Sequence, residues 1–492
     1  MTSSPESAAV APESRESLGR QVRSAVLWRS GSQIAGQLIA WGSTFLVIRM
    51  LTPADYGLVA MTGVVLMLLN MLNGHGLANA LIQHGEVNRR QQRQVLGMLL
   101  LLNGALALVQ FLVAPLVARF YAAPMVAELL RVQTLLYLTT PFLSFAYALL
   151  AREMAFRWQA QVNLLSSVAG ALASVAGAYG GLGVWTLVLA PIVLFATRAV
   201  GLMIAARAWM WPSFDFRGAG HLARYGGIVA GASLLGFAQS QADIIVAGRS
   251  FDSHAVGIYT TALFLTQIFT NKVVPPLNEV AFSAYARMQH DAAAVAEGFA
   301  RSVRLIMLVA IPFFLGLAVT AEPVVALALG DQWREAAPLV TLLGIAMPFW
   351  TLQALFPSAV DAMGRPGTTA GTTAVGAILL PLAFLVGGRF GIHGIAAAWI
   401  VAHPILLAIV AMRALPIIGL PPRRFVRALL PAFAAGVAMV AAVLGVQALA
   451  MPQTHVARLA LAVGVGGAAY GLFLLAFARQ AVVQAIALVR GR

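Results

Sequence analysis

Asp243, Lys272 and Glu279 lie inside two long apolar stretches that meet at Arg249-Ser-Phe-Asp-Ser-His-Ala-Val-Gly257. Lys272 is the only lysine in the chain; every other basic residue apart from histidine is arginine. An ionised side chain at the centre of a bilayer costs about 2.5–3.5 kcal/mol even on the mildest scale, so residues at such depth are functional candidates by default. Carboxylates and an ammonium without a nucleophile–base pair suit binding of a charged cargo or movement of protons, not group transfer. No His-Glu-x-x-His, phosphate loop or G-x-S-x-G occurs. The eight histidines have no metal-ligand spacing, and the absence of cysteine removes thiol, disulfide and cluster chemistry. The residues point to a non-enzymatic role with no cofactor and no metal.

Neutral polar residues extend the set. Arg29, Gln33 and Gln37 are four apart, on one helical stripe, with Ser43 beyond them. Asn70, Asn73 and His75 follow in a second apolar stretch, then Gln239 and Gln241 before Asp243, and Thr266, Gln267 and Asn271 before Lys272. Lys272, Asp243, Arg29, Gln33, Asn70 and Asn271 are the candidates for a polar cavity. Glu279 and Gln239 are the candidates for a gate or coupling role. Arg49, Pro53, Asp55 and Gly57 suit an interfacial turn, Arg29 reads equally as snorkelling to a surface, and Glu279 with Arg287 as solvated.

The elements that position these residues are membrane spans. The chain has 492 residues, 60% hydrophobic and 10% charged, with a mean hydropathy of +0.85. Soluble domains carry roughly 25% charged residues. The formal charge of +15 resides in arginines between apolar segments, the pattern of a topology signal and not of a nucleic-acid groove. Spans of about 20 apolar residues fall near 24–48, 57–82, 94–118, 129–150, 160–180, 184–205, 225–247, 256–286, 302–321, 336–358, 368–387, 394–415, 426–449 and 458–478. The expectation is therefore an all-α polytopic membrane protein of about 14 helices.

Arginines concentrate in the even-numbered gaps and at both ends, which places both termini in the cytoplasm. Residues 1–22 read as a disordered tail, with no cleavable signal peptide. The outward loops are too short for a folded domain.

A shift of 200 residues superposes Gly31 on Gly231, Gly36 on Gly236, Arg49 on Arg249, Leu51 on Phe251 and Gly57 on Gly257. Gly181-Leu-Gly-Val184 and Gly391-Ile-His-Gly-Ile395 echo each other at a similar offset. Six spans separate the copies, so the repeat is parallel, about an axis along the membrane normal. The organisation is then a six-helix bundle over 23–207, a linker over 208–222, a second six-helix bundle over 223–415, a linker over 416–425, two further helices over 426–479 and a tail over 480–492. Gly74-His-Gly76 and Pro275-Pro276 interrupt the second and eighth spans at nearly matching places, and a kink is expected at the prolines. Asp243 and Lys272 distinguish the second copy, since the first has Ser43 and Leu72 there.

Arg49-Met-Leu-Thr-Pro-Ala-Asp-Tyr-Gly57 followed by Gly76-Leu-Ala-Asn-Ala-Leu-Ile-Gln83 resembles the opening signature of Wzx-type polysaccharide transporters, in the capsule and exopolysaccharide branch. Gly257-Ile-Tyr259, Pro276-Leu-Asn-Glu-Val280 and Gly330-Asp-Gln-Trp333 are similar to the second-half pattern. The resemblance implies the fold shared by MurJ and MATE proteins, with two bundles around a cationic cavity. It also implies a flippase for oligosaccharide linked through diphosphate to undecaprenol, in the bacterial inner membrane, working beside a polymerase and a chain-length regulator. The alternatives are an ion-coupled exporter of the MATE kind, which needs carboxylates in the first bundle, a membrane glycosyltransferase or polymerase, which needs a sizeable outward loop, and a non-transporting scaffold.

Overall fold

A computed structural model of the protein describes residues 31–73, 81, 88–215, 220–449 and 452–479. Among the described residues every regular element is helical. The helices are α1 (31–48), α2 (Pro53–Asn70), α3 (Arg89–Phe120), α4 (Met125–Gln133), α5 (Leu135–Arg152), α6 (Phe156–Tyr179), α7 (Val184–Ala205), α8 (Gly220–Ser250) and α9 (Ser253–Met288). They continue with α10 (Ala292–Val319), α11 (Ala321–Ala328), α12 (Ala336–Gln353), α13 (Phe356–Ala362), α14 (Pro366–Gly388), α15 (Gly391–Ile418), α16 (Pro422–Leu449) and α17 (His455–Phe477). A single 3₁₀ turn, Asp331–Trp333, precedes α12.

Eleven stretches of helix are long and apolar enough to cross a membrane by length and composition, with α4–α5 and α12–α13 each counted as one. The long helices outside that set are α1, α8 and α9, which carry Gln33, Gln239, Asp243, Lys272 and Glu279. The polarity that singled these residues out also lowers the hydropathy of their helices. The surface is inverted relative to a soluble protein: Leu112, Leu172, Ile378 and Leu472 are each more than 60% exposed, while Asn103, Gln110, Ser166 and Thr351 are fully buried. Such a face of large apolar side chains is stable only against lipid.

Local chemistry explains where the helices differ from the apolar runs. Asp291 caps α10, its carboxylate accepting from Ala293 N and Ala294 N at 3.0 Å, so that helix begins ten residues before the apolar run. The tenth span divides because Leu355 N turns back to Leu352 O and Pro357, lacking an N–H, restarts the helix as α13. By contrast α9 runs through Pro275 and Pro276 as one helix of 36 residues. The prolines do not end it, although they leave the carbonyls of Asn271 and Lys272 without their i+4 donors. The described part of the second span ends at Asn70, and Gly74, His75 and Gly76 lie outside the described residues.

The chain forms two compact units, one of residues 1–51, 69–118 and 124–228, the other of residues 52–68, 119–123 and 229–492. Most of α2 thus belongs with the second unit, which departs at that helix from a division by sequence order. Within the second unit, the starts of α2 and α9 cross. A Cβ on Gly57 would lie 1.8 Å from Ser253 O, and one on Gly257 would lie 1.7 Å from Pro53 O. Residues 53 and 57 contact their partners 200 positions on in reciprocal fashion, the signature of a two-fold relation. No side chain fits either place.

The same register repeats in the caps. Thr52 N donates to Asp55 Oδ2 at 2.9 Å and Asp55 N to Thr52 Oγ1 at 3.3 Å, a capping box before α2. Asp252 accepts from Ala255 N at 2.9 Å before α9. Tyr56, beside the crossing, meets the fully buried Trp333 edge-on at 5.4 Å, so two of the signature stretches pack on each other.

Candidate functional site

Each unit has cavities of its own with polar side chains on their walls. In the first unit α1, α5, α6 and α7 surround a space of about 540 Å³. Small residues let α1 approach α6: a Cβ on Gly36 would stand 3.3 Å from Ser167 Oγ. Gln33, Gln37, Gln159, Asn163 and Ser167 line the cavity together with Arg198 from α7. Gln159 Nε2 donates to Tyr147 O at 3.1 Å, fixing that amide. Arg198 Nε donates to Ser166 Oγ at 3.1 Å, and Ser166 Oγ donates to Asn163 O at 2.9 Å. The guanidinium also stands over the Phe195 ring, 5.8 Å from its centroid. Among the described residues no aspartate or glutamate lines this cavity.

In the second unit a cavity of about 550 Å³ is lined by Thr270, Asn271, Asn278, Glu279, Trp350 and Asp361. A smaller one of about 160 Å³ is lined by Gln239, Gln353 and the threonines 368, 369, 372 and 373. The two share Trp350, Ala354 and Pro357 as a wall. Thr369 Oγ1 donates to Asp361 Oδ1 at 2.6 Å across it, and Asn278 Nδ2 donates to Ala354 O at 2.7 Å. Among the described residues neither cavity is lined by an arginine or lysine.

Asp243 occupies a third setting. It is 2% exposed, and Tyr259 OH donates to its Oδ2 at 2.7 Å. Trp399 Nε1 donates in turn to Tyr259 OH at 2.9 Å. His403, one turn along α15, stacks on Trp399 with centroids 4.5 Å apart and planes at 19°. Gln353 Nε2 donates to His403 O at 2.6 Å, so its Oε1 is the acceptor facing His403 Nδ1 at 3.2 Å. That geometry puts the ring proton on Nδ1 and leaves Nε2 buried without a partner among the described residues. The network therefore runs from a buried carboxyl to Gln353 in the wall of the smaller cavity.

The residues singled out from sequence are thus spread over several places. Gln33 lines the first-unit cavity, Gln239 the smaller second-unit cavity, and Asn271 and Glu279 the larger one. Lys272 is exposed, one residue beyond Asn271, and is not among the residues lining these cavities. The Asp243 carboxylate accepts from Tyr259 OH. Asn70 is exposed and accepts from Asn73 Nδ2 at 3.3 Å. Arg29 lies outside the described residues.

Arg198, Trp350 and Trp399 were not singled out from the sequence, and Tyr259 entered only as part of the Gly257-Ile-Tyr259 stretch. The signal for Arg198 was available, since it interrupts an apolar span just as Asp243 does. The aromatic residues carry no such mark, because nothing local distinguishes a network tryptophan from a core one.

Residues 46–338 match the polysaccharide biosynthesis protein family. The chain is 28% identical over 346 residues to the succinoglycan biosynthesis transport protein ExoT of Rhizobium meliloti (strain 1021), covering 68% of this chain and 70% of that protein. It is 23% identical over 297 residues to the lipopolysaccharide biosynthesis protein WzxC of Escherichia coli (strain K12), covering 60% of each. Among solved structures, the lipid II flippase MurJ in an inward closed conformation superposes with a TM-score of 0.73 at 11% identity, over 93% of this chain and all of that one. An inward-facing MATE family multidrug resistance transporter gives 0.59 at 13% identity, over 77% of this chain and 94% of that one. At such identities these likenesses establish the fold, which is the one MurJ and MATE proteins share.

Proposed function

Because the chain belongs to the polysaccharide biosynthesis protein family, we propose that it is a flippase for lipid-linked oligosaccharide repeat units. The cargo is oligosaccharide joined through diphosphate to undecaprenol, moved across the bacterial inner membrane for surface or exopolysaccharide synthesis. Both termini face the cytoplasm, and a polymerase and chain-length regulator act on the delivered units. Two six-helix bundles over 23–207 and 223–415 work by alternating access, with α16 and α17 as an addition.

One observation carries the reading: open cavities of about 540 and 550 Å³, with amides, hydroxyls and charges set among apolar residues on their walls, lie between helices whose outer faces are apolar. A sugar–diphosphate head cannot cross about 30 Å of hydrocarbon unaided. Polar cavities at membrane depth supply replacement hydrogen bonds while a lipid tail stays in the bilayer. Trp350, in the wall shared by the second-unit cavities, adds an aromatic face beside hydroxyl and amide groups, the mixture that sugars present in reverse. An ion-coupled exporter of small cations is less well served, since among the described residues no carboxylate lines the first-unit cavity.

Deletion of the gene should stop surface polysaccharide and leave lipid-linked repeat units on the cytoplasmic face, measured by extracting the lipid-linked pool and probing its accessibility from each side. Repeat units that still reach the outer face in the deletion strain would overturn the reading.

A further inference from the structure

Residues 206–215 leave α7 as an extended strap fastened over the start of α3. Ser213 N donates to Arg93 O, Arg93 Nε to Trp211 O and Gln94 Nε2 to Asp215 O, each at 2.8 Å. No side chain fits between Gly97 and Ser213 O. Ala208 belongs to a core cluster against which Met210 and Ala155 both pack. The strap, the start of α3 and the turn between α5 and α6 therefore form one end of the first unit.

The residues on either side of Met210 are not part of that core. Trp209 is 70% and Trp211 84% exposed, and Phe214, Trp158 and Met154 are each more than half exposed. Arg89, Arg93, Arg152, Arg157 and Arg207 stand in the same three segments against Glu153, while Arg90 pairs with Asp215 at 2.9 Å. Two members of this set also hold the left-handed backbone region, Met154 at φ 53° and Arg207 at φ 47°. Ala155 N donates to Leu150 O and Ala208 N to Met203 O, the helix ending that ordinarily places glycine at the position before. An apolar and a cationic side chain are thus kept where each costs backbone strain. The lipid-facing surfaces of the same helices run into this end: Val200 and Ile204 are more than half exposed just before Arg207, and Leu165 lies two turns beyond Trp158.

We propose that this end of the first unit is a binding surface for anionic phospholipid headgroups of the adjacent leaflet. Indole rings favour headgroup depth, where the ring body is among lipid and its N–H is wet. Arg89 and Arg207 supply the charge that selects lipids of net negative charge over zwitterionic ones. Because the strap is fastened to α3, its rings are held at a fixed depth relative to the apolar faces. The inference draws on the flippase reading only for orientation, which makes the leaflet the cytoplasmic one; the cargo plays no part in it.

The test uses the full chain in detergent, titrated with phosphatidylglycerol or phosphatidylcholine while thermal unfolding is followed. Phosphatidylglycerol should raise the wild-type midpoint at a lower lipid concentration than phosphatidylcholine does. Arg89→Gln combined with Arg207→Gly should remove that preference and raise the phosphatidylglycerol concentration needed by about tenfold or more, from about fivefold for each arginine. Arg207→Gly alone relieves the left-handed strain, so its lipid-free midpoint should not fall while its response to phosphatidylglycerol weakens by about fivefold. A purely structural role for Arg207 would leave the lipid preference intact. Trp209→Ser with Trp211→Ser should weaken the response to both lipids, and Arg119→Gln, at the far end of α3, should change neither.

An equal response of the wild type to the two lipids overturns the inference and leaves the exposed rings to a soluble protein partner. A preference that survives the loss of Arg89 and Arg207, or that Arg119→Gln removes as fully, overturns it too. None of these results touches the flippase reading, which export in the deletion strain decides separately.

Discussion

The cavities of the two units are alike in size and opposite in charge. Among the described residues, Arg198 of the first unit sits among amides and hydroxyls with no acid on the wall; in the second, Glu279 and Asp361 sit among amides, threonines and Trp350 with no base on the wall. From the sequence, the charges expected to meet a phosphate are Arg29 in the first copy, outside the described residues, and Lys272 in the second. To these the structure adds hydroxyls, carboxylates and an aromatic face around the second unit's cavities, and in the first unit a guanidinium with no carboxylate partner among the described residues. A duplicated scaffold can thus be specialised twice, one copy for the anionic part of a cargo and the other for its neutral, hydroxyl-rich part. Gly57 and Gly257 show the scaffold itself unchanged.

The most severe way to break this contrast is Arg198→Glu, which makes the lining of both units acidic. Surface polysaccharide should fall by about a hundredfold, as expected when charge-assisted hydrogen bonds worth about 1.5–3 kcal/mol become repulsions. Quantified polysaccharide on cells with normal amounts of membrane-inserted protein is the measurement, and near-normal export would show that the charge division has no functional meaning.

Lys272→Ala comes next and asks whether the second copy also supplies a cation. A loss of about tenfold or more is expected if Lys272 reaches the diphosphate. Unaltered polysaccharide would remove Lys272 from cargo binding and leave Arg198 as the candidate cation.

Asp361→Asn sharpens the other side. It should cost about 1–2 kcal/mol of stability, because the bond from Thr369 at 2.6 Å loses its charged acceptor. Export should drop only several-fold, as judged by thermal unfolding and polysaccharide yield together.

The smallest effect belongs to Arg90→Ala, which removes the exposed ion pair with Asp215 at 2.9 Å, away from every cavity described above. Within about 0.5 kcal/mol the protein should not notice, as is usual for a solvent-exposed pair. A loss of export in this variant larger than that of Asp361→Asn would mean that the cavities are the wrong place to look.

Much of the fold was legible because lipid imposes long apolar runs, and most of the described long helices begin and end within a few residues of those runs. Asp291 and Pro357 mark two places where they do not. The repeat was legible because backbone contact restricts residue choice so severely that Gly57 and Gly257 survive in register. The site was harder to read. Asp243 drew notice as a buried charge, yet its partners Tyr259 and Trp399 come from α9 and α15, and pairing across 140 residues has no local trace. Arg198 was hidden for another reason: arginines were weighed as topology signals between spans, and one inside a span was passed over. The threonines of 368–373 look like an ordinary helix start until α8 and α12 bring Gln239 and Gln353 beside them.

The glycine crossing also bears on how the two halves have been free to diverge. Elsewhere the copies have drifted: Leu51 faces Phe251 in the alignment, Ser43 faces Asp243 and Leu72 faces Lys272. At the crossing each glycine is confronted by the other copy's main-chain carbonyl. A side chain can be trimmed by a compensating mutation in its neighbour, but a carbonyl cannot. A larger residue in one half therefore has no suppressor in the other, and these two positions are bound to one residue type while the sequences around them accumulate the differences that make a first unit and a second unit distinct.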